Sequence, residues 1–332
     1  MRRTALLVCL LSVLVVRASA QQVTLEELPD KLMGDYIGTF KPAAGEEQKA
    51  VVYVVPDGKE RYRVVFQTDI PGHKGKISRL LLRGMLKDGV IKIDDSGAGV
   101  KWTGTVGNGK AAAESEKGDK YAAEYTIRKS PTLGAKPPEG AIVLLKYPCE
   151  NPPLDEWINK NWKPMPDGSV EVFKGDNKTV RSFGDMKLHL EFRCCYDPIS
   201  LGQGRSNSGV YLQDRYEVQV LDSYGLRSAD NDCGGIYKIA KPRVNACCPP
   251  LSWQTYDMTF RAARFDAAGK VVKPVTVTVE HNGEVIHDNL VVPGPTGGAA
   301  GADAVPTAPL RLQDHGNPVR YRNIWVVELK DQ

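Results

Sequence analysis

Two glutamates and two histidines stand at alternating positions of short apolar runs, and they set the chemistry that the chain can offer. Glu191 and Glu217 are the candidate acid/base pair. Glycosidic cleavage commonly uses two carboxyl groups flanking the bond, one giving a proton and one taking it or attacking. His315 and His189 are alternative bases, because imidazole titrates near neutrality. Either glutamate could equally orient a sugar hydroxyl as a hydrogen-bond acceptor. The sequence has no G-x-S-x-G, no H-E-x-x-H and no P-loop, so it carries no motif for serine hydrolase, zinc protease or nucleotide chemistry.

The elements that must position these residues read as strands, because polar and apolar residues alternate with period two. In 187–193, Leu188, Leu190 and Phe192 face one way, and Lys187, His189, Glu191 and Arg193 the other. In 216–222, Val218 and Val220 oppose Glu217 and Gln219. In 207–213, Val210 and Leu212 oppose Asn207, Gly209, Tyr211 and Gln213. In 310–315, Leu310 and Leu312 oppose Arg311, Gln313 and His315. The outer face of a sandwich is ordinarily just solvated. Such faces favour Lys, Thr, Ser and Glu, whereas this set is rich in His, Arg, Asn, Tyr and Gln, which make fixed, planar or bidentate hydrogen bonds. They suit a polyhydroxylated ligand, whose hydroxyls need paired donors and acceptors and whose C–H face stacks on an aromatic ring. Glu191, Glu217, Gln219 and His315 are therefore expected on one concave surface. A one-residue slip would bury them, and the cost of burying unpaired carboxylates fixes the register.

The same β pattern extends through the chain. Asp57-Gly58, Asp88-Gly89, Asn108-Gly109, Asp167-Gly168 and Asn282-Gly283 are tight-turn signals between β-branched runs. The runs are 50–55, 62–67, 90–93, 187–192, 209–212, 216–221, 275–280 and 323–329. Only 25–33 and 154–159 offer short helices, so the fold class is all-β. The 332 residues suggest two domains. Residues 130–140 carry three prolines and two glycines, a linker composition. The division expected is 1–20, a leader; 21–145, a small β-rich barrel or sandwich that Gly34–Gly38 opens as a first strand; and 146–332, a β-sandwich. His73 lies in a Gly/Lys loop and is read as solvated. Residues 293–309, made of Gly, Ala and Pro, are expected as an exposed loop.

The leader has Arg2-Arg3, a largely apolar stretch at 5–16, and Ala18-Ser19-Ala20 before Gln21. That is the layout of a cleaved export signal, since a bilayer-spanning helix needs about 20 apolar residues. The mature chain is expected to be soluble, without a transmembrane segment, and periplasmic or extracellular. Losing Arg2, Arg3 and Arg17 leaves 41 basic against 40 acidic residues. This balance gives no reason to expect nucleic acid as a partner.

Six cysteines remain: Cys149, Cys194, Cys195, Cys233, Cys247 and Cys248. An even count in an exported chain favours disulfides. The C-x₂-C spacing of zinc sites is absent and no histidine is close in sequence to either adjacent pair, so no metal site is assigned. Cys233 with Cys247 is the expected bridge; closing that short loop contributes about 3 kcal/mol in the chain-entropy model.

The blocks DMKLHLEF (185–192), NSGVYL (207–212), YEVQVLD (216–222), CGGIY (233–237), WQTYD (253–257), HNG (281–283) and LQDHGNPVRYRNIWVVEL (312–329) together resemble the 3-keto-disaccharide hydrolase domain family over about 150–330. The resemblance implies a jelly-roll sandwich of the concanavalin A-like lectin/glucanase type. It implies cleavage of 3-keto-glycosides, by hydrolysis or by elimination followed by hydration. A carboxylate or imidazole would remove the C2 proton, with Arg, His or a divalent metal stabilising the oxyanion; no other cofactor is implied. Glu191, Glu217 and His315 would share the catalytic roles. His189, Arg193, Asn207, Tyr211, Gln219, Asp222, Tyr237, Gln313, Arg322 and Asn323 would bind the carbohydrate. Residues 194–205 and the Cys247-Cys248 pair depart from the commoner pattern. A non-catalytic carbohydrate-binding module is the alternative that the same polar face allows.

Overall fold

The computed structural model describes residues 29–68 and 79–330. The leader and His73 lie outside the described residues. Eight antiparallel strands close a barrel: β1 (Gly34–Lys41), β2 (Gln48–Pro56), β3 (Arg61–Gln67), β4 (Arg79–Lys87), β5 (Val90–Gly97), β6 (Val100–Gly107), β7 (Lys110–Ser115) and β8 (Lys120–Thr126), with β8 pairing back to β1. Alternate residues fill the interior: Val52 and Val54, Val64 and Phe66, Leu80 and Leu82, Ile91 and Ile93, Ala111 and Ala113. Each such side chain contributes about 1–3 kcal/mol by leaving water. The hairpins turn where Asp88-Gly89 and Asn108-Gly109 hold positive φ at both residues. At Gly38 a Cβ would lie 1.9 Å from the Ala122 carbonyl, so β1 and β8 approach closely only because that side chain is missing.

The remainder is a two-sheet sandwich. Its strands are β9 (Ile142–Leu145), β10 (Lys163–Pro164), β11 (Val170–Glu171), β12 (Asn177–Phe183), β13 (Met186–Arg193), β14 (Ser208–Leu212), β15 (Tyr216–Val220), β16 (Gln254–Arg261), β17 (Arg264–Phe265), β18 (Val271–Lys273), β19 (Val275–His281), β20 (Glu284–Val292), β21 (Ala308–Leu312) and β22 (Arg320–Glu328). The larger sheet runs β10-β11-β22-β13-β16-β19-β20, with β9 also on β22; the smaller runs β12-β21-β14-β15. Strands β17 and β18 form a separate ribbon. One core lies between the two sheets. Leu188, Leu190 and Phe192 come to it from β13, and Val210, Leu212, Val218 and Val220 from β14 and β15.

Among the described residues the only helix is a 3₁₀ turn, Gly202–Gly204. The all-β reading holds; the expected helix at 154–159 does not form, and of the one at 25–33 the residues 25–28 lie outside the described residues. Residues 154–159 make turns and an isolated bridge from Trp157 to Thr179, and 29–33 are bends. No helix among the described residues is long and apolar enough to cross a membrane.

Residues 130–140 do not hang free between the two bodies. Ser130 and Thr132 hydrogen-bond Thr255 at 2.6 and 3.0 Å, and Thr132 donates to Asp257 at 2.6 Å, so the stretch lies along the outer face of the larger sheet. Arg128 fastens the barrel to the sandwich: it donates to Asp35 at 3.1 Å and to the carbonyls of Ala246 and Cys247 at 3.1 and 2.6 Å.

The expected Cys233–Cys247 bridge is not formed. All six cysteines among the described residues are free thiols. The two sulfurs do meet, within 4.8 Å, but a bond needs about 2.05 Å. Each thiol has another partner: Cys233 Sγ lies 3.2 Å from the Tyr256 hydroxyl, and Cys247 Sγ is 3.6 Å from the Leu221 carbonyl.

Candidate active site

The expected single polar face divides into two. β13 belongs to the larger sheet and β14, β15 and β21 to the smaller, and both sheets turn their apolar residues to the shared core. Their polar faces therefore point outward in opposite directions. Glu191 and Glu217 do not converge, which corrects the expectation of one shared surface.

Glu191 takes His189, Arg322 and Asn323 with it. Its Oε1 accepts from the Gly134 backbone at 2.6 Å and from the Asn323 amide at 2.9 Å, and Oε2 accepts from Arg322 Nε at 2.6 Å. His189 Nδ1 lies 2.6 Å from Asp257, and its Nε2 lies 3.7 Å from Glu191. The Arg322 guanidinium is held between Tyr147 and Trp253, at 4.3 and 3.9 Å from the ring centres. Arg193, on the same strand, faces Asp167 and the Trp253 ring. Glu191 and His189 are both 0% exposed, closed over by residues 130–135. Burial pushes the Glu191 carboxyl up, but His189, Arg322, Asn323 and the Gly134 N–H outweigh it and hold the carboxyl below its usual range. Burial likewise pushes His189 down, and Asp257 and Glu191 outweigh that and raise it. The carboxylate accepts from three donors inside a buried network that also holds His189 and Asp257, in which Arg322 Nη2 is left without a hydrogen-bond partner.

Glu217 sits differently. It lies opposite Tyr211 across the β14–β15 ladder, and Gln219 lies opposite Gly209. The Tyr211 hydroxyl is 2.8 Å from Glu217 Oε2 and 3.0 Å from the Gly297 carbonyl. It has one proton for these two acceptors, so its partner can change when Glu217 is protonated. A Cβ on Gly209 would meet Glu217 Oε1 at 2.3 Å. The glycine of the NSG block therefore leaves room for the carboxyl. Burial raises the Glu217 pKa to about 7, against the lowering effects of Tyr211 and Arg311. A carboxyl that is half protonated at neutrality suits general acid–base work.

Around it stand Arg311, whose guanidinium lies 3.7 Å from the Tyr211 ring centre and bonds Asp176 at 2.7 Å, and Gln313, which donates to the Tyr211 hydroxyl at 3.3 Å. Gln219 donates to Gln203 at 2.9 Å, and Asn207 to the Gln203 carbonyl at 2.8 Å. Asn207 Oδ1 is buried without a hydrogen-bond partner. Tyr237 is half-buried, and its backbone N–H donates to the Glu217 carbonyl at 3.1 Å. His315 is exposed on the loop that follows β21. That loop is tied to this face where Asn317 accepts from the Asn207 N–H at 2.8 Å and Asp314 N–H donates to Asp176. Asp222 is elsewhere: it pairs with Arg205 at 2.6 Å, whose guanidinium also reaches the Pro56 carbonyl of the barrel.

Sequence reasoning missed three participants. Gln203 comes from the insertion 194–205, where nothing periodic marks it. Arg311 was placed on the correct face but given no role. The Gly/Ala/Pro stretch 293–309, expected as a bare loop, builds a wall of the site: Thr296 accepts from the Glu217 N–H at 3.0 Å, and the carbonyls of Gly297 and Gly298 accept from Tyr211 and Arg311. A cleft of about 520 Å³ between barrel and sandwich, lined among others by Tyr53, Arg79, Arg227, Lys241 and Arg243, shares no residue with either carboxylate cluster.

Residues 151–327 match the model of the 3-keto-alpha-glucoside-1,2-lyase-like domain. Among solved structures, a candidate glycosyl hydrolase from Parabacteroides distasonis ATCC 8503 is 34% identical, with a TM-score of 0.52 over 58% of this chain and 85% of that one. A second candidate glycosyl hydrolase from the same organism is 17% identical, with a TM-score of 0.41 over 57% of this chain and all of the other. No curated protein matches the chain. Both carboxylate clusters lie within the matched segment, so the match does not choose between them.

Proposed function

The chain belongs to the 3-keto-alpha-glucoside-1,2-lyase-like domain family, and from that premise we propose that it cleaves 3-keto-glycosides, 3-keto-disaccharides among them, at the outer face of the smaller sheet. The observation that carries the reading is the Glu217 carboxyl, buried, bonded by Tyr211 and held near pKa 7. The leader read at 1–20 supports export, which would put this activity outside the cytoplasm. Likeness to a candidate glycosyl hydrolase at 34% identity supports a glycosidic bond as the target.

A ketone at C3 acidifies the C2 proton. Glu217 as carboxylate takes that proton, and the electron pair passes into an enediolate whose charge rests on the C3 oxygen. Arg311, Gln313 and Gln219 are the donors at hand for that oxygen and the neighbouring hydroxyls. The enediolate expels the C1 substituent, whose oxygen takes a proton; His315, on the exposed loop after β21, is the candidate donor. Water then adds its hydroxyl at C1, its other proton goes back to His315, and Glu217 returns its proton to C2. The sum is hydrolysis. Asn207 Oδ1, buried and unpartnered, takes a sugar hydroxyl.

The test is to incubate the purified protein with a panel of 3-keto-disaccharides and the parent disaccharides and to measure released sugar. Release from the keto forms alone supports the reading. Binding of both forms without release makes the domain a carbohydrate-binding module, and release from the parent sugars alone removes the C2-proton step.

A further inference from the structure

Cys233, Cys247 and His281 reach one point in the sandwich core from three places. The two cysteines come from the long loop between β15 and β16, and the histidine from the last residue of β19. One ligand atom of each lies within 4.8 Å of the other two, and all three residues are buried. Cys194, just past β13, packs in the same core, where a thiolate would repel one on Cys233.

The imidazole separates this cluster from ordinary packed thiols. Gln254 Oε1 accepts from the Cys248 N–H at 2.8 Å and from the Asn282 amide at 3.2 Å, so this end of the side chain is the acceptor. It lies 3.0 Å from His281 Nε2, which must therefore carry the ring proton. Nδ1 is left as a bare lone pair, buried and without a hydrogen-bond partner. An orphaned buried acceptor costs about 1–3 kcal/mol. A disulfide between Cys233 and Cys247 would leave that cost in place, whereas a cation bound by the lone pair removes it. Histidine ligands commonly donate their other N–H to a fixed oxygen, the part that Gln254 plays here.

We propose that Cys233, Cys247 and His281 Nδ1 bind a structural zinc ion, with Cys194 as the fourth ligand. Three thiolates and one imidazole are a closed, soft donor set of the kind structural zinc takes. Zinc–ligand bonds of about 2.0–2.3 Å place neighbouring ligand atoms about 3.5–4 Å apart, so drawing Cys233, Cys247 and His281 onto an ion asks for movements of about 1 Å, and Cys194, which stands farther off, would have to swing in to complete the shell. Each ligating thiol releases its proton as the ion enters. The Arg128 guanidinium, 2.6 Å from the Cys247 carbonyl, lies beside the site and offsets its negative charge. The ligands come from three separate segments of the chain, so the ion would pin the long β15–β16 loop to β13 and β19.

The full chain, purified without chelator, is analysed for metal by mass spectrometry and for thiols by alkylation. One zinc per chain is expected, with Cys233 and Cys247 alkylated only after zinc is stripped by chelator under denaturing conditions. Cobalt reconstitution should give a thiolate-to-metal absorption band. Cys247→Ser and His281→Ala should each bring zinc content well below one per chain, and Cys149→Ser, at a cysteine outside the cluster, should not. A peptide pair linked through Cys233 and Cys247, or a wild-type chain with no stoichiometric metal and freely alkylated thiols, overturns the proposal. The wild-type measurement decides the matter even if the variants fail to fold.

Discussion

Glu191 and Glu217 stand on the outer faces of two sheets that share one core, each with an arginine close by, and they differ in what reaches the carboxyl. Glu191 is bonded by three donors, paired with buried Arg322 and covered by residues 130–135. Glu217 has one hydroxyl on one oxygen and the empty volume of Gly209 beside the other. The first environment stabilises charge and lowers the pKa; the second penalises charge and raises it. Two carboxylates in one sandwich thus diverge because several donors outweigh burial at Glu191, whereas burial outweighs the single hydroxyl and the nearby Arg311 at Glu217. A carboxylate held charged by three donors is the weaker base of the two.

Replacing each glutamate by glutamine breaks this comparison most directly. Glu217→Gln keeps shape and should leave folding intact while lowering kcat/KM on a 3-keto-glycoside by about 10²–10⁴-fold, the range for a general base. Glu191→Gln should do the reverse. It leaves Arg322 buried beside a neutral group, and losing one partner of such a pair costs about 3–5 kcal/mol. Urea denaturation should show that loss, with activity per folded molecule nearly unchanged. If Glu191→Gln abolishes turnover in the folded fraction while Glu217→Gln does not, the roles are exchanged.

The pH dependence sharpens the contrast. The folded pKa of Glu217 is raised, so the folded state holds the proton more tightly than the unfolded chain does. That advantage is fully present below the ordinary carboxyl value of 4.5 and is lost as pH rises through about 7. The full effect is on the order of 3 kcal/mol. Glu217→Gln removes it, so the variant should gain in melting temperature relative to wild type between about pH 5 and about pH 8. Equal shifts at both ends would show that Glu217 titrates normally. The smallest expected effect is that of Gly209→Ala. The new methyl displaces the Glu217 carboxyl, and a misplacement of about 1 Å should lower kcat about 10–100-fold with KM less changed.

Period-two alternation was enough to read the strands and their apolar sides, because a one-residue slip inverts a whole face. It could not say which sheet each strand joins. The partners of β13 are β16 and β22, and Glu191 meets Arg322 across a separation of 131 residues. Alternation reports that Glu191 and Glu217 both point away from the core, and in a two-sheet sandwich that phrase has two opposite meanings. The remaining omissions have a common origin. Gln203, Thr296 and Gly297 act through loops, with Gly297 contributing a backbone carbonyl and Gln203 both its carbonyl and its side chain, and such contributions leave no hydrophobic period to read. Cysteine counting gave Cys233 and Cys247 as a bridge that the structure does not form, and it could not see His281, which arrives from another strand to within 4.8 Å of both sulfurs.

The docking of residues 130–140 on the larger sheet bears on how this chain can be cut or recombined. The family match begins at 151, yet the Glu191 carboxyl is bonded by Gly134, Asn323 donates to the Ala135 carbonyl, and β9 at Ile142–Leu145 pairs with β22. A fragment starting at 151 would open that network to water and bare the β22 edge that β9 covers. A fragment starting at Ser130 would keep them. The inheritable module is thus about twenty residues longer on its N-terminal side than the segment its family shares, and a transplanted catalytic domain should be soluble only when it carries this strap along.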